Sequence, residues 1–404
     1  MKVNNHLIDT LVGLKNIFIL IYIIFRGKIA RKSKDHVVKK IHTISYRNFA
    51  PEGGKGGGAA VQSCQEILLG DKYGDIQLKY TYLKLNKFSN SGSLKELWGS
   101  AYSAIVNSEN EKNSAYITHD YGTAFGLALL NKRFVYISHL QGPRLEEKTN
   151  FGDYLPFFNK RIIYFCEKYV FKKAFYVCFP SEGAKKQYFL SKYASVTEDE
   201  VRLGPVLHNT LYVEPIPKSI SDIPIKKDVL TFYTVGTLTF AKGVDRIPLF
   251  FDIYLNQYEG KVRWILIGDG VMKNEILDKV NMLVNKYKNF EFMHIEKCNY
   301  EEVAYISSIS NIYILLHRIS IFDLSTLEAM KRAKCVILSK VGGNLDFNVC
   351  DNIFFYEEYS SLFDIDIVKL GENNKRAYEK YFSNENFIYK YTKLIDDLVG
   401  EYKK

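Results

Sequence analysis

The sequence predicts two doubly wound α/β domains in series, each built on a parallel sheet. Apolar runs typical of buried strands alternate with helical segments along most of the 404 residues. Glycines or polar residues follow the strands, at the edge where such sheets bind ligands. A segment with three prolines, "VEPIPKSISDIPIKK" from Val213 to Lys227, interrupts the series and indicates a domain junction.

The first domain begins with a strand, a glycine-rich loop and a helix. Later strands end in polar residues, and Ser181 is placed to cap a further helix. The elements that support this domain are a strand at His36–Tyr46, a helix at Ala59–Leu69, strands at Ala115–Asp120 and Phe134–His139, and a strand–helix unit at Ala174–Phe189.

The second domain repeats this alternation after the junction. Its elements are strands at 229–236, 262–270, 289–295, 311–317 and 335–339, with helices at 244–257, 300–309 and from about residue 324. We therefore predict four regions: residues 1–35 as an N-terminal helix and basic run, 36–215 and 216–380 as the two domains, and 381–404 as a helix that packs back on the first domain.

Composition narrows the class of protein and of partner. Hydrophobic residues make up 47% and charged residues 25%, which is typical of globular chains. The six cysteines form no C-x-x-C pair, so neither a zinc site nor a disulfide framework is indicated. The net charge of +10 is concentrated in seven cations between Arg26 and Lys40, beside an apolar run. Without interleaved aromatics this favours an anionic membrane or substrate over nucleic acid.

The N-terminus carries the most apolar stretch, "IFILIYIIF" from Ile17 to Phe25. It is shorter than the ~20 residues that span a bilayer, and it lacks a signal-peptide cleavage site. We interpret it as a helix in the inner leaflet, with the basic run pairing with anionic lipid. Two alternatives stay open: an apolar helix docked on a domain surface, and a true span with the rest of the chain cytoplasmic.

Four segments of the second domain occur in an order and at a spacing that match a known family: "YTVGTLTFAKGVDRI", "WILIGDGVMKNEI", "STLEAM" and "KVGGN". Together they resemble the C-terminal half of a GT-B glycosyltransferase of the GT4 type. "GGKGGGAA" and "YVCFPSEGAKK" are similar to the first half of that family. The resemblance covers roughly Lys39 to Lys393. It implies the α/β fold called GT-B, two Rossmann-like domains facing each other across a cleft, here with an N-terminal apolar helix.

The resemblance implies a site for a nucleotide-diphosphate sugar in the second domain. A diphosphate needs positive potential and backbone N–H groups, which a loop lysine and a helix N-terminus supply. Lys242, in the loop after Gly236, is expected to neutralise phosphate, and Leu324, Ser325 and Thr326 to offer N–H groups. Glu328 is expected to accept hydrogen bonds from the ribose hydroxyls.

A structural role for Glu328 is the alternative. Residues 325–328 match the S-x-x-E capping box, in which the Glu328 carboxylate would return to the N–H of Ser325. Both roles could hold in turn, with and without donor.

Two positions depart from the family's pattern. Thr237 stands where the family usually has arginine, and Ser320 stands where it has glutamate. Arg318 and Arg332 are nearby cations. Asp323 could supply part of the missing carboxylate function in catalysis, or it could simply cap its helix.

The first domain offers candidate catalytic and acceptor residues. In retaining members of the family a histidine at a strand end contacts the donor sugar; His139 matches best and His119 second. Either could instead be a structural hydrogen-bonder. The glycine loop is expected to let the acceptor or its phosphate approach the backbone, the alternative being a flexible turn. Its candidate residues are Gly54, Gly56, Gly57 and Gly58.

No metal or cofactor is expected, because the nucleotide sugar is a substrate and the D-x-D at residues 364–366 lies outside any strand-end glycine context. We predict a metal-independent, retaining bacterial glycosyltransferase at the cytoplasmic face of the cell membrane, acting on a lipid-linked or cell-surface glycan in polysaccharide biosynthesis. The alternatives are a catalytically silent GT-B scaffold that binds a partner transferase, and a GT-B nucleotide-sugar epimerase.

Overall fold

The computed structural model describes residues 2–30, 37–45, 58–83, 88, 94–150, 152–211, 215–220, 223–358, 363 and 365–400, with only the backbone of 2–8 and 58–60. Contacts divide the chain into two compact units. Unit 1 comprises Met1–His208 and Phe387–Lys404, and unit 2 comprises Asn209–Asn386.

Unit 1 is built on a parallel sheet covered by helices. Its described elements are α1 (Lys2–Ala30), β1 (Lys40–Ser45), α2 (Gly58–Leu69), β2 (Lys72–Tyr73), β3 (Ile76–Tyr82), α3 (Lys95–Ser108), β4 (Ser114–Thr118), α4 (Tyr121–Leu129), β5 (Phe134–Ile137), α5 (Arg144–Asn150), α6 (Phe157–Lys173), β6 (Tyr176–Cys178) and α7 (Glu182–Leu190). The strand order is β2-β3-β1-β4-β5-β6, and only the β2–β3 pair is antiparallel among the pairs described. β4 and β5 are buried throughout, which explains their continuous apolar sequences.

Unit 2 repeats the design. Its described elements are β7 (Leu230–Val235), α8 (Ile247–Leu255), β8 (Val262–Ile267), α9 (Lys273–Lys286), β9 (Phe290–Ile295), α10 (Tyr300–Ser308), β10 (Ile312–Leu315), α11 (Leu324–Lys331), β11 (Cys335–Leu338), β12 (Phe354–Phe355) and α12 (Ile367–Ala377). The described strands run in the order β12-β11-β10-β7-β8-β9, with every pair parallel. The last helix, α13 (Asn384–Gly400), lies mostly in unit 1.

The strand orders locate the ligand-binding edges. In unit 2 the order reverses between β7 and β10, and in unit 1 it reverses between β1 and β4. Doubly wound sheets bind ligands beyond the carboxyl ends of the strands at such a reversal. In unit 2 this point lies beside Gly236 and His317; in unit 1 it lies beside Ser45 and His119.

The N-terminal helix α1 packs on unit 1 through one face, against α3, α4 and α6. Asn16 is buried, where its amide donates to Asn159 Oδ1 at 3.0 Å and its oxygen accepts from Trp98 Nε1 at 2.9 Å. Ile23 is fully buried on the same face. This face of α1 is therefore docked on the domain surface, which is one of the alternatives left open by the sequence. By length and composition alone, residues 9–30 could also cross a membrane.

Helix α13 packs within unit 1. Tyr391 is fully buried, and the Lys390 ammonium lies 3.0 Å from His208 Nδ1. Arg133 Nη2 donates to the carbonyl of Asp397 at 3.1 Å. These contacts tie the C-terminal residues to the core of unit 1.

Candidate functional site

Lys242 is held at the strand reversal of unit 2 by a tight loop. After β7 the chain forms a 3₁₀ turn, Phe240–Lys242, and then Gly243 with φ of 63°. A Cβ at Gly243 would lie 1.9 Å from the carbonyl oxygen of Leu316, so only glycine lets this loop close against the end of β10. The "KG" pair therefore fixes the position of the lysine.

The Lys242 side chain reaches from this loop across Gly236. A Cβ at Gly236 would lie 3.8 Å from Lys242 Cδ, so the lysine stem passes within van der Waals reach of this position. The ammonium contacts the Asp323 carboxylate and lies 3.4 Å from His317 Nε2. The structure thus brings together the lysine, the glycine and the start of α11, as the sequence predicted.

Asp323 has two roles at once in this cluster. It is the N-cap of α11, accepting from the Thr326 N–H at 3.3 Å, and it pairs with Lys242. The predicted capping box is wrong, because α11 begins at Leu324 and Ser325 is already inside the helix. Capping by Asp323, the simpler of its two predicted roles, is confirmed.

Further donors complete the shell around this carboxylate. The Ser325 hydroxyl donates to Asp323 Oδ2, and the Tyr313 hydroxyl lies 3.3 Å from the same oxygen. His317 Nε2 lies 3.6 Å from the other carboxylate oxygen, Asp323 Oδ1. An ammonium, two hydroxyls and a helix N-terminal N–H together form a pocket that stabilises an anion. We call Lys242, Tyr313, Ser325 and Thr326 the anion pocket; Asp323 fills it.

The electrostatics agree with this description. Burial alone would raise the pKa of Asp323, but Lys242 and His317 hold that pKa well below its usual range. Burial lowers the pKa of His317, which favours the neutral ring at physiological pH. The site in this state holds one carboxylate charge against one ammonium charge.

Glu328 lies one turn further along α11. Burial raises the pKa of its carboxyl group to about 7, and the guanidinium of Arg332 opposes that rise. Arg332 follows four residues later on the same helix, the spacing at which side chains on a helix meet. Glu328 therefore titrates near neutral pH and is free of the predicted capping role.

The structure also shows the surroundings of Thr237 and Ser320, the residues that stand where arginine and glutamate were expected. Thr237 is exposed, and Ser320 is buried with its hydroxyl unpartnered among the described residues. Arg318 does not substitute for the missing cation, because its guanidinium pairs with both oxygens of Asp245 at 2.6 and 2.7 Å and stacks on Phe240. Lys242 thus stands without a second lysine or arginine contacting Asp323 in the described part of unit 2.

The two histidines of unit 1 form a connected pair. His119 Nδ1 lies 2.9 Å from His139 Nε2, and the rings stack with centroids 5.1 Å apart. His119 Nε2 lies 3.1 Å from the Gln65 oxygen. His119 is buried, whereas His139 is only partly buried.

With the Gln65 amide oxygen facing the His119 ring, these distances indicate one arrangement of protons. An amide oxygen only accepts, so His119 Nε2 carries a hydrogen and donates to Gln65. Burial, with His139 adding to it, lowers the pKa of His119 well below its usual range, so its Nδ1 has no hydrogen and must accept from His139 Nε2–H. The chain Gln65–His119–His139 orients the outer ring, which makes His119 a positioning group for His139.

Some predicted site residues fall outside the described part of the chain. Gly54, Gly56 and Gly57 do so, while Gly58 is the first residue of α2. Of the D-x-D segment, Asp364 is also outside it, and Asp366 caps α12 by accepting from the Lys369 N–H at 2.9 Å.

Sequence reasoning missed three residues that the structure places in these clusters. Tyr313 lies within β10 and His317 lies two residues after its end, and alternation gave no reason to single either out. Gln65 carried one signal in the sequence, its i, i+3 spacing from Gln62, and the structure buries both amides fully on α2. A buried polar pair of this kind must find partners, and those partners mark a site.

Comparisons with known proteins agree with this geometry. Residues 216–361 match the family model "Glycosyl transferases group 1". This match lies within unit 2 and covers about a third of the chain. The matched segment, called the transferase domain below for this likeness, includes the anion pocket and Glu328, and the resemblance stated from the sequence is confirmed.

Solved structures extend the likeness over both units, all at identities that show the fold alone. Sucrose-phosphate synthase from Thermosynechococcus elongatus is 14% identical with a TM-score of 0.63, covering 90% of this chain and 100% of its own. Anabaena HepE, solved with UDP-glucose, is 15% identical with a TM-score of 0.59, covering 89% and 99%.

A third neighbour is the lipopolysaccharide outer core galactosyltransferase WaaB, 15% identical with a TM-score of 0.56, covering 89% of this chain and 99% of its own. These neighbours confirm the GT-B fold with two Rossmann-like units, and the N-terminal apolar helix α1 is seen in the structure of this chain itself. No curated protein matches the sequence.

Proposed function

We propose that this protein transfers a sugar from a nucleotide-diphosphate donor to a lipid-linked or cell-surface glycan acceptor at a membrane surface, with retention of configuration. The observation that carries the donor half is the anion pocket at the strand reversal of the transferase domain. Lys242 and the N-terminal N–H groups of α11 are the groups a leaving diphosphate requires. Solved neighbours include one in complex with UDP-glucose and one named a lipopolysaccharide galactosyltransferase.

The proposed step balances without a further reactant. The bond between the anomeric carbon and the diphosphate breaks, and its electrons stay on the phosphate oxygen. The acceptor hydroxyl attacks the same face of the sugar, and its proton passes to that phosphate oxygen. Lys242 and the α11 N–H groups stabilise the charge on the leaving group. Glu328 binds the ribose, and the oriented His139 is the proposed contact to the donor sugar.

A panel of nucleotide sugars tests this function. We expect one of them to bind the purified protein and to be consumed when glycan or lipid-linked acceptors are supplied, with the product carrying the anomeric configuration of the donor by NMR. Failure of every nucleotide to bind would contradict the proposal. Product of inverted configuration would contradict the retaining mechanism alone.

A second function is favoured by one specific observation: Asp323 already fills the anion pocket. A catalytically silent transferase domain that binds a partner transferase needs no open donor site. Weak nucleotide binding without turnover, together with stable co-purification with an active transferase, would favour this alternative.

The pH dependence of donor binding tests the role of Glu328. The folded pKa near 7 lies above the usual value, so the carboxylate becomes ionised as pH rises through 7, and only then accepts strongly from ribose hydroxyls. We expect donor affinity to rise by about tenfold from pH 6 to pH 8, since the ionised fraction rises from about one tenth to nine tenths. A nucleotide sugar is the right probe, because its diphosphate does not titrate in this range.

Glu328→Gln is the matched variant for this titration, because it keeps the shape and removes the titration. Its affinity should be nearly flat between pH 6 and pH 8. An unchanged slope in the variant would show that another group titrates.

A further inference from the structure

The face of α1 that points away from unit 1 is apolar and uncovered. Phe18, Phe25 and Ile29 are 70%, 62% and 63% exposed, and Ile21 is 57% exposed. These positions recur at three- and four-residue intervals, so they form one stripe along the helix. The opposite stripe, with Asn16 and Ile23, is the one that docks.

Helix α6 extends this apolar surface beside α1. A Cβ at Gly13 would lie 2.7 Å from the Phe158 ring, so the two helices touch closely at this point. On the outer side of α6, Phe157 is 64% exposed and Phe165 is 44% exposed. Nothing in the sequence reading singled out α6 for such a role.

Cations lie beside these aromatics. Lys160 and Arg161 are exposed on α6, and Lys28 is exposed on α1. The Arg161 guanidinium lies 5.3 Å from the centroid of the Phe157 ring, so charge and apolar surface occur side by side. Aromatic rings flanked by cations suit the boundary between acyl chains and anionic headgroups.

We propose that α1 and α6 together form one lipid-facing surface, by which the protein binds an anionic leaflet as a monotopic protein. The surface consists of Phe18, Ile21, Phe25, Ile29, Phe157 and Phe165. The inference deepens the membrane link of the proposed function and is independent of its donor site.

Two arguments favour a lipid leaflet, bound without crossing it, over a transmembrane span or a second copy of the chain. A span would pull α1 from unit 1, and the Asn16 amide would then lie in hydrocarbon without the Asn159 and Trp98 partners. A two-fold pairing of copies through this face would bring the cations of each copy against those of the other. An anionic leaflet meets both the apolar stripe and the charge.

The basic run contributes less than the sequence suggested. Arg26 pairs with Glu109 at 2.7 Å, and Lys40 pairs with Glu111 at 3.1 Å. Both cations therefore contact unit 1 itself. Residues 31–36 of the run lie outside the described residues.

Vesicle co-sedimentation of the full chain tests the surface. We expect binding to phosphatidylcholine vesicles that contain phosphatidylglycerol, and weaker binding without it. The double variant Phe157→Ser, Phe165→Ser should reduce partitioning by about tenfold or more, since two large apolar side chains no longer enter the interface. Leu190→Ser is the matched control: this side chain is 86% exposed on α7 and is not one of the six residues of the proposed surface, so its loss should change nothing.

Topology completes the test. In inside-out membrane vesicles, tags at the N-terminus and the C-terminus should both be cleaved by added protease. Protection of the N-terminal tag from protease would overturn the proposal. So would vesicle binding by the Phe157→Ser, Phe165→Ser variant that is as strong as that of the wild type. Self-association that the α6 variant abolishes, without vesicle binding by the wild type, would assign the face to a second copy. Nucleotide-sugar binding is measured in a separate experiment, so a negative vesicle result would not contradict the proposed donor site.

Discussion

Asp323→Asn is expected to tighten the binding of a nucleoside diphosphate by about tenfold. The Asp323 carboxylate now occupies Lys242 and the first turn of α11, the groups that a diphosphate needs. The Asp323 carboxylate and a phosphate charge about 5 Å away would repel each other by roughly 3 kcal/mol at an effective dielectric of about 20. The partial exposure of the site to solvent, seen at Lys242, reduces this repulsion. Removing the charge therefore removes an internal competitor and a repulsion. Titration calorimetry measures the change.

Asparagine is the informative replacement because it caps a helix as well as aspartate does. Asp366→Asn provides the matched control, since Asp366 caps α12 in the same unit and accepts from the Lys369 N–H at 2.9 Å. It should leave nucleotide binding unchanged. Loss of turnover with unchanged or weaker binding in Asp323→Asn would instead show that Asp323 serves the sugar as the missing carboxylate.

Lys242→Met is expected to weaken binding of the same nucleotide by roughly ten- to a hundredfold. Methionine keeps the stem that passes over Gly236 and removes the charge, and a hydrogen bond between charged groups contributes about 1.5–3 kcal/mol. The variant also leaves the buried Asp323 without its ammonium partner, so the free energy of unfolding should fall.

The double variant Lys242→Met, Asp323→Asn separates these two effects. It should recover most of the unfolding free energy and still bind nucleotide more weakly than Asp323→Asn alone. Lys279→Met, at a partly exposed lysine on α9 that pairs with Glu275 at 2.7 Å, is the surface control. Nucleotide binding that follows stability through all these variants would mean that Lys242 has only a structural role.

Much of the fold could be predicted because parallel strands leave a strong local signal. β8 is buried at every position, and its sequence, "VRWILI", is apolar except at Arg263; Ser181 after a strand does cap α7. Helix starts were less certain where several capping residues compete. Asp323 and Ser325 both suit an N-cap, and the choice depended on Lys242, which is distant in sequence and adjacent in the fold.

The site could be predicted only where motifs carried it. Lys242, Gly236 and the start of α11 have recognisable neighbours in sequence, and the structure brings them together. The hydrogen bonds of His119 could not be foreseen, because its partners come from other elements: Gln65 from helix α2 and His139 from the segment after β5. The outer face of α6 was missed for another reason: exposed aromatics and buried ones look alike until the neighbouring helix is placed.

The most direct test is a structure of the protein with a bound nucleoside diphosphate. We predict the diphosphate within hydrogen-bonding distance of Lys242 Nζ and of the N–H groups at the start of α11, with the ribose on Glu328 and the contact between Lys242 and Asp323 broken. A nucleotide bound elsewhere, or bound while Lys242 stays paired with Asp323, would contradict the proposed donor site.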